Sequence, residues 1–139
     1  MIQILWHGRG GQGAFTAARL LGTAWVLRGS YALVFPSFGP ERRGAPVRAF
    51  TKLDTKPVVD RSEIKHPDFI IDLINPPAEI AELAERMNFP ALNTLMLGRL
   101  ARELGLETEY VKSAIELVMP EKLWRKNFEA VERISGCTA

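Results

Sequence analysis

The residues best suited to chemistry lie in one run, Trp6-His7-Gly8-Arg9-Gly10-Gly11-Gln12-Gly13-Ala14. Gly8, Gly10 and Gly13 fit G-x-G-x-x-G, set between an apolar run that reads as a strand and a stretch that reads as a helix. At that point of a βαβ unit glycines allow a tight turn with positive φ and a close backbone approach. The helix that follows aims unpaired N–H groups and the positive end of its dipole at one spot, so such a turn offers anion binding, above all of phosphate. A βα turn without any ligand would use the same residues, and the spacing alone leaves both readings open. An NAD-type site adds Asp or Glu at the end of the second strand; here that position falls at Phe35-Pro36-Ser37, where no acid stands. A P-loop is excluded because Ala14 follows Gly13 where that motif needs Lys-Ser or Lys-Thr. The cations close by in sequence are Arg9, Arg42 and Arg43, which suit a phosphate or a partner's carboxylates. As a solvated loop pair, Arg42 and Arg43 need do neither.

Other reactive side chains are few. His7 closes a strand beside the glycine turn, where it either meets a ligand or is simply hydrogen-bonded in place. His66 precedes Pro67 in a loop, with no thiol or carboxylate set around it. Cys137, the single cysteine, reads as an inert tail residue and rules out a disulfide framework or a four-cysteine iron–sulfur site within the chain. Neither a serine elbow nor a metal-spaced His/Cys set occurs, so no catalytic group is assigned.

The elements that must position the turn follow from hydrophobic patterning. Met1 to Leu5 reads as a buried strand, and Ala14 to Leu27 as a helix apolar on most faces, covered by the sheet on one side and by another element or subunit on the other. Arg28-Gly29-Ser30 ends it. Tyr31 to Phe35 reads as a second strand, parallel to the first through a crossover. Pro36 to Pro46 is a loop by its prolines and glycines, and Val47 to Lys52 alternates as a strand with one polar face. Lys56 to Val59 is expected to pair briefly, and Pro67 to Ile74 is an interior strand ending at Asn75-Pro76-Pro77. The rest is helical: Pro77 to Met87, Leu92 to Leu104, Glu107 to Met119 and Glu121 to Ile134.

Composition adds bounds. The 139 residues suit one domain with an ordinary soluble composition, and the net charge of +2 gives no footprint for nucleic acid or a membrane surface. Residues 14–27 are too short to span a bilayer and no signal peptide is expected, and the single cysteine suits a reducing cytoplasm.

His7 to Ala14, together with Phe35-Pro36-Ser37-Phe38-Gly39-Pro40-Glu41-Arg42-Arg43-Gly44-Ala45-Pro46-Val47, resembles the gamma subunit of 2-oxoacid:ferredoxin oxidoreductases. Asn93-Thr94-Leu95-Met96-Leu97-Gly98 and Asn127-Phe128-Glu129-Ala130 resemble two later segments of that family. Family members carry several tens more residues between the strand at Phe69–Ile74 and Asn93, so residues 1–139 are read as one gamma-type domain shortened near 75–90. The expected fold is α/β, a Rossmann-like three-layer domain with a mostly parallel, possibly reduced sheet and a helical C-terminal half. The resemblance implies oxidative decarboxylation of a 2-oxoacid to an acyl-coenzyme A with electrons passed to ferredoxin. Pyruvate ranks first as substrate and 2-oxoisovalerate second. Thiamine diphosphate and magnesium are then held by alpha and beta subunits and iron–sulfur clusters by beta and delta, none by this chain alone. The site expected to touch coenzyme A, another phosphate or a neighbouring subunit comprises Gly8, Arg9, Gly10, Gly11, Gln12, Gly13, Ser37, Arg42, Arg43 and Asn93. A free-standing Rossmann-like nucleotide or phosphate module, and the small subunit of an indolepyruvate oxidoreductase, are the alternatives.

Overall fold

Alternation along β1 (Ile2–Arg9) sets the plan of the molecule: Ile4, Trp6 and Gly8 are buried on one face, while Gln3, Leu5 and His7 turn to the other. The computed structural model describes residues 1–37, 46–87 and 91–136. β2 (Tyr31–Pro36), β3 (Pro46–Asp54) and β4 (Phe69–Asp72) join β1 in one sheet of order β2-β3-β1-β4. The sheet is mixed rather than mostly parallel. β3 runs antiparallel to both β1 and β2, and only β4 pairs with β1 in parallel. β2 does point the same way as β1, but β3 folds back from β2 and takes the place between them.

That central place changes what β3 buries. Instead of one polar face, residues 49–53 are buried throughout. Thr51 sits in the core because its hydroxyl accepts the Trp6 indole N–H (3.0 Å) and donates to the Ala18 carbonyl (3.1 Å). Lys52, 2% exposed, donates from Nζ to the carbonyls of Asp60 (2.8 Å) and Ser62 (2.7 Å), with the Asp60 carboxylate 3.7 Å away. It thereby straps segment 55–66 across Phe35 and Phe50, where Ile64 is buried. Residues 56–59 join no strand.

α1 (Ala14–Leu27) crosses the opposite face of the sheet and packs on β2, β3 and β1. Much of its apolar outer side is covered within the chain, though Phe15, Val26 and Leu27 stay exposed. α3 (Leu92–Glu103) and α4 (Thr108–Val118) cover it, so Leu20 is fully buried and Trp25 nearly so. α2 (Ala78–Arg86) leans on α3, and a 3-10 turn at Glu121–Leu123 precedes α5 (Trp124–Gly136), which packs on α3 and α4. The layers thus run sheet, α1, outer helices, rather than helix, sheet, helix. Among the described residues no helix is long and apolar enough to cross a membrane.

Candidate functional site

The glycine turn is held by its own glutamine. The Gln12 side-chain Oε1 accepts the Arg9 backbone N–H (2.6 Å), and Nε2 donates to the Leu73 carbonyl (2.9 Å). One side chain therefore closes the turn and ties it to the chain just past β4. Its amide is consumed by structure. Gly13 follows at φ +80° as the residue preceding α1, and its carbonyl takes the Ala17 N–H (2.9 Å). No side chain caps this helix start and no acid stands in its first turn, so the leading N–H groups and the dipole are uncompensated by side-chain charge.

Asn93 reaches this turn from α3, eighty residues on. Its Nδ2 donates to the Gly13 carbonyl (3.3 Å), and the amide lies where any side chain at position 13 would project: a Cβ there would stand 2.5 Å from Nδ2. The next residue, Thr94, is fully buried and donates to Asn127 Oδ1 (2.5 Å), whose Nδ2 bonds the Leu123 carbonyl. The two late segments singled out in sequence thus meet each other, and the first meets the glycine turn.

At the same end of the sheet a polar row crosses all four strands. Arg48 and Asp72 both register opposite His7, and the Ser37 N–H donates to the Arg48 carbonyl (2.9 Å). Glu63, from the strap, accepts the Ser37 hydroxyl (2.9 Å) and stands 3.9 Å from the Arg48 guanidinium. Asp72 lies 3.5 Å from His7 Nδ1 and accepts the N–H groups of Ile74 (2.9 Å) and Asn75 (3.2 Å). Its partial burial raises the carboxyl pKa, but the two backbone N–H bonds and the His7 charge outweigh that and hold it below the ordinary value.

Of the expected site residues, Gly8 to Gly13 and Asn93 come together, with Ser37 at the other end of the polar row. Arg9 is exposed at the end of β1. Arg42 and Arg43 lie outside the described residues. Sequence reasoning missed Arg48, Glu63 and Asp72. Asp72 had a signal, an acid at the carboxyl end of an apolar run; Glu63 had none, because only the Lys52 strap brings it to Ser37. Among the described residues no group of three or more His, Cys, Asp or Glu could hold a metal ion. The arrangement offers N–H donors for an anion and a braced histidine.

The family model described as pyruvate ferredoxin/flavodoxin oxidoreductase matches residues 3–78. The pyruvate/ketoisovalerate oxidoreductases common subunit gamma of Thermococcus kodakarensis is 34% identical over 174 aligned positions, taking in 95% of this chain and 94% of the relative. Those positions outnumber the 139 residues here, so the relative carries stretches without a counterpart in this chain. The protein of the same name from Thermococcus litoralis is 55% identical over 73 residues, 52% of this chain and 40% of the relative. In three dimensions the chain is similar to the pyruvate oxidoreductase subunit PORC of Thermotoga maritima, with a TM-score of 0.71 at 25% identity over 95% of this chain and 93% of that one.

Proposed function

The chain belongs to the pyruvate ferredoxin/flavodoxin oxidoreductase family, and from that premise we propose that it is the gamma-type component of a multi-subunit 2-oxoacid:ferredoxin oxidoreductase. The carrying observation is the end-to-end match to a relative named as a common subunit gamma. Residues 1–139 act in this reading as one gamma-type domain in the cytoplasm, shortened near 75–90, beside alpha, beta and delta components or their fused equivalents. The complex converts pyruvate, or a branched-chain 2-oxoacid such as 2-oxoisovalerate, to acyl-coenzyme A, and ferredoxin takes the electrons. Thiamine diphosphate, magnesium and iron–sulfur clusters reside on the other components. Coenzyme A, when bound, supplies the thiol that accepts the acyl group.

What this chain contributes is a place for an anionic part of that complex. The uncapped start of α1 presents backbone N–H groups, and Gly11 leaves open space where a side chain would stand. Those two features fit a phosphate of coenzyme A, and Arg9, Ser37, Arg42 and Arg43 are the side chains proposed to contribute to its binding. Gln12 and Asn93 serve by holding the turn rigid.

The test is a complex reconstituted from all subunits. A hydrogen bond to a charged group contributes about 1.5–3 kcal/mol, or about 10- to 150-fold in affinity. Arg42→Ala or Arg43→Ala is therefore expected to raise KM for coenzyme A by at least the lower figure while KM for the 2-oxoacid stays nearly constant. Loss of assembly with unchanged coenzyme A kinetics would instead make the arginines contacts to a subunit carboxylate. Purification of the chain alone with a bound nucleotide, free of thiamine diphosphate and iron, would support the free-standing module.

A further inference from the structure

β4 is the edge of the sheet that carries the site, and among the described residues no strand pairs with its outer side. Leu73 donates its N–H to the His7 carbonyl (2.7 Å), and the β1–β4 register then sends alternate residues inward. The N–H groups of Ile70 and Asp72 face away from β1. Ile70 is also 63% exposed on the face that the strap leaves bare. Along this edge runs a groove of about 230 Å³ between β4 and α3, lined by Ile70, Ile71, Pro77, Met96, Arg99 and Leu100. Parallel strand pairs are ordinarily covered on both faces, and an open, apolar edge is a template for another strand.

Alignment lengths show that relatives are longer than this chain. The 73-residue match amounts to 52% of the chain, which leaves no room in it for a long gap, and any stretch of that length in 139 residues includes 67–73 and hence β4. The end-to-end alignment needs 174 positions. The relative therefore carries chain without a counterpart here. In this chain α2 begins at Ala78, five residues after Leu73.

We propose that the open edge of β4 is completed by an extended apolar segment of another subunit of the same oxidoreductase, added as a fifth strand with its side chains in the groove against Met96 and Leu100. The occupant is another subunit because the chain belongs to a family whose relatives are named as subunits, so the inference rests on the subunit reading above. A second copy of this chain is the poorer occupant. Two β4 edges set antiparallel would bring Asp68 of each copy near Asp72 of the other, placing like charges at both ends of the pairing.

Hydrogen exchange on the free chain and on the reconstituted complex, read at single amides, tests this. In the free chain Ile70 and Asp72 exchange fast while Ile71, bonded to β1, is protected. In the complex both slow by about tenfold or more, because an added strand takes their N–H groups. Ile70→Lys leaves the melting temperature of the isolated chain within about 2 °C, yet weakens assembly about tenfold or more. Leu117→Lys, at a 69% exposed position on α4, leaves assembly unchanged. A complex that forms with Ile70 and Asp72 exchanging as in the free chain overturns the proposal. So does protection already present in a self-associated free chain, which makes the occupant a second copy. A chain that joins no complex at all fails the subunit reading instead, which distinguishes the two failures.

Discussion

Replacing Gly13 with alanine tests the brace between the glycine turn and α3. The backbone there has φ +80°, a left-handed conformation that costs an L side chain about 1–2 kcal/mol. Gly11 has φ +90° and so carries the same backbone penalty, but a Cβ at position 11 meets nothing within 4 Å. A Cβ at position 13 would stand 2.5 Å from Asn93 Nδ2 and 3.2 Å from its Cγ, so Asn93 must swing away and lose its bond to the Gly13 carbonyl. A neutral hydrogen bond of this kind contributes about 0.5–1.5 kcal/mol. Gly11→Ala should therefore cost about 1 kcal/mol and Gly13→Ala about 2–3 kcal/mol, a gap of about 3–10 °C in melting temperature for a chain of this size. The double variant Gly13→Ala/Asn93→Ala should cost less than the sum of its single changes by about 1 kcal/mol, since the clash and the lost bond are one event. Thermal and chemical denaturation of the wild type and the four variants measure all of this. Equal costs at positions 11 and 13, or strict additivity with Asn93→Ala, would refute the brace.

Three further outcomes are expected. Lys52→Met leaves the Asp60 and Ser62 carbonyls without their buried donor; it should cost about 2 kcal/mol and make segment 55–66 the first site of limited proteolysis, whereas an unchanged cleavage pattern would remove the strap role. Thr51→Val deprives the buried Trp6 N–H of its acceptor and should cost about 1–3 kcal/mol, read as a lower denaturation midpoint at unchanged slope. Asp72 has a depressed folded pKa, so its stabilising effect is full above the ordinary carboxyl value of 3.8 and is lost as pH falls below it. Asp72→Asn should accordingly flatten the acid limb of the stability–pH curve below that value, and an identical limb in the variant would show that the carboxylate contributes nothing.

The local elements were legible in the sequence because periodicity and end signals agree in them. Ala14 to Leu27 is a helix with the bounds read from its residues, the strand cores at 31–35 and 47–52 hold, and the three long C-terminal helices differ only at their ends. Glu121 opens a 3-10 turn after Pro120 before α5 proper begins at Trp124. The family was legible as well, because the blocks at 7–14 and 35–47 are long and unusual.

Strand order was decided only by the tertiary structure. Nothing in the alternation of 47–52 says that this strand will lie between β1 and β2, because period-two patterning records which side chains share a face and not which neighbour is paired. Once it lies there, both of its faces are covered, and Thr51 and Lys52 become buried groups whose partners, Trp6, Ala18 and the strap, are far away in sequence. The site shows the same division. Sequence alone determined the glycine turn, since its residues are contiguous and their freedom of φ is a local property. Asn93 against Gly13, Glu63 against Ser37 and Asp72 against His7 are contacts across 80, 26 and 65 residues. Each exists because strand register and helix packing bring the two ends together, so only the folded chain decides it.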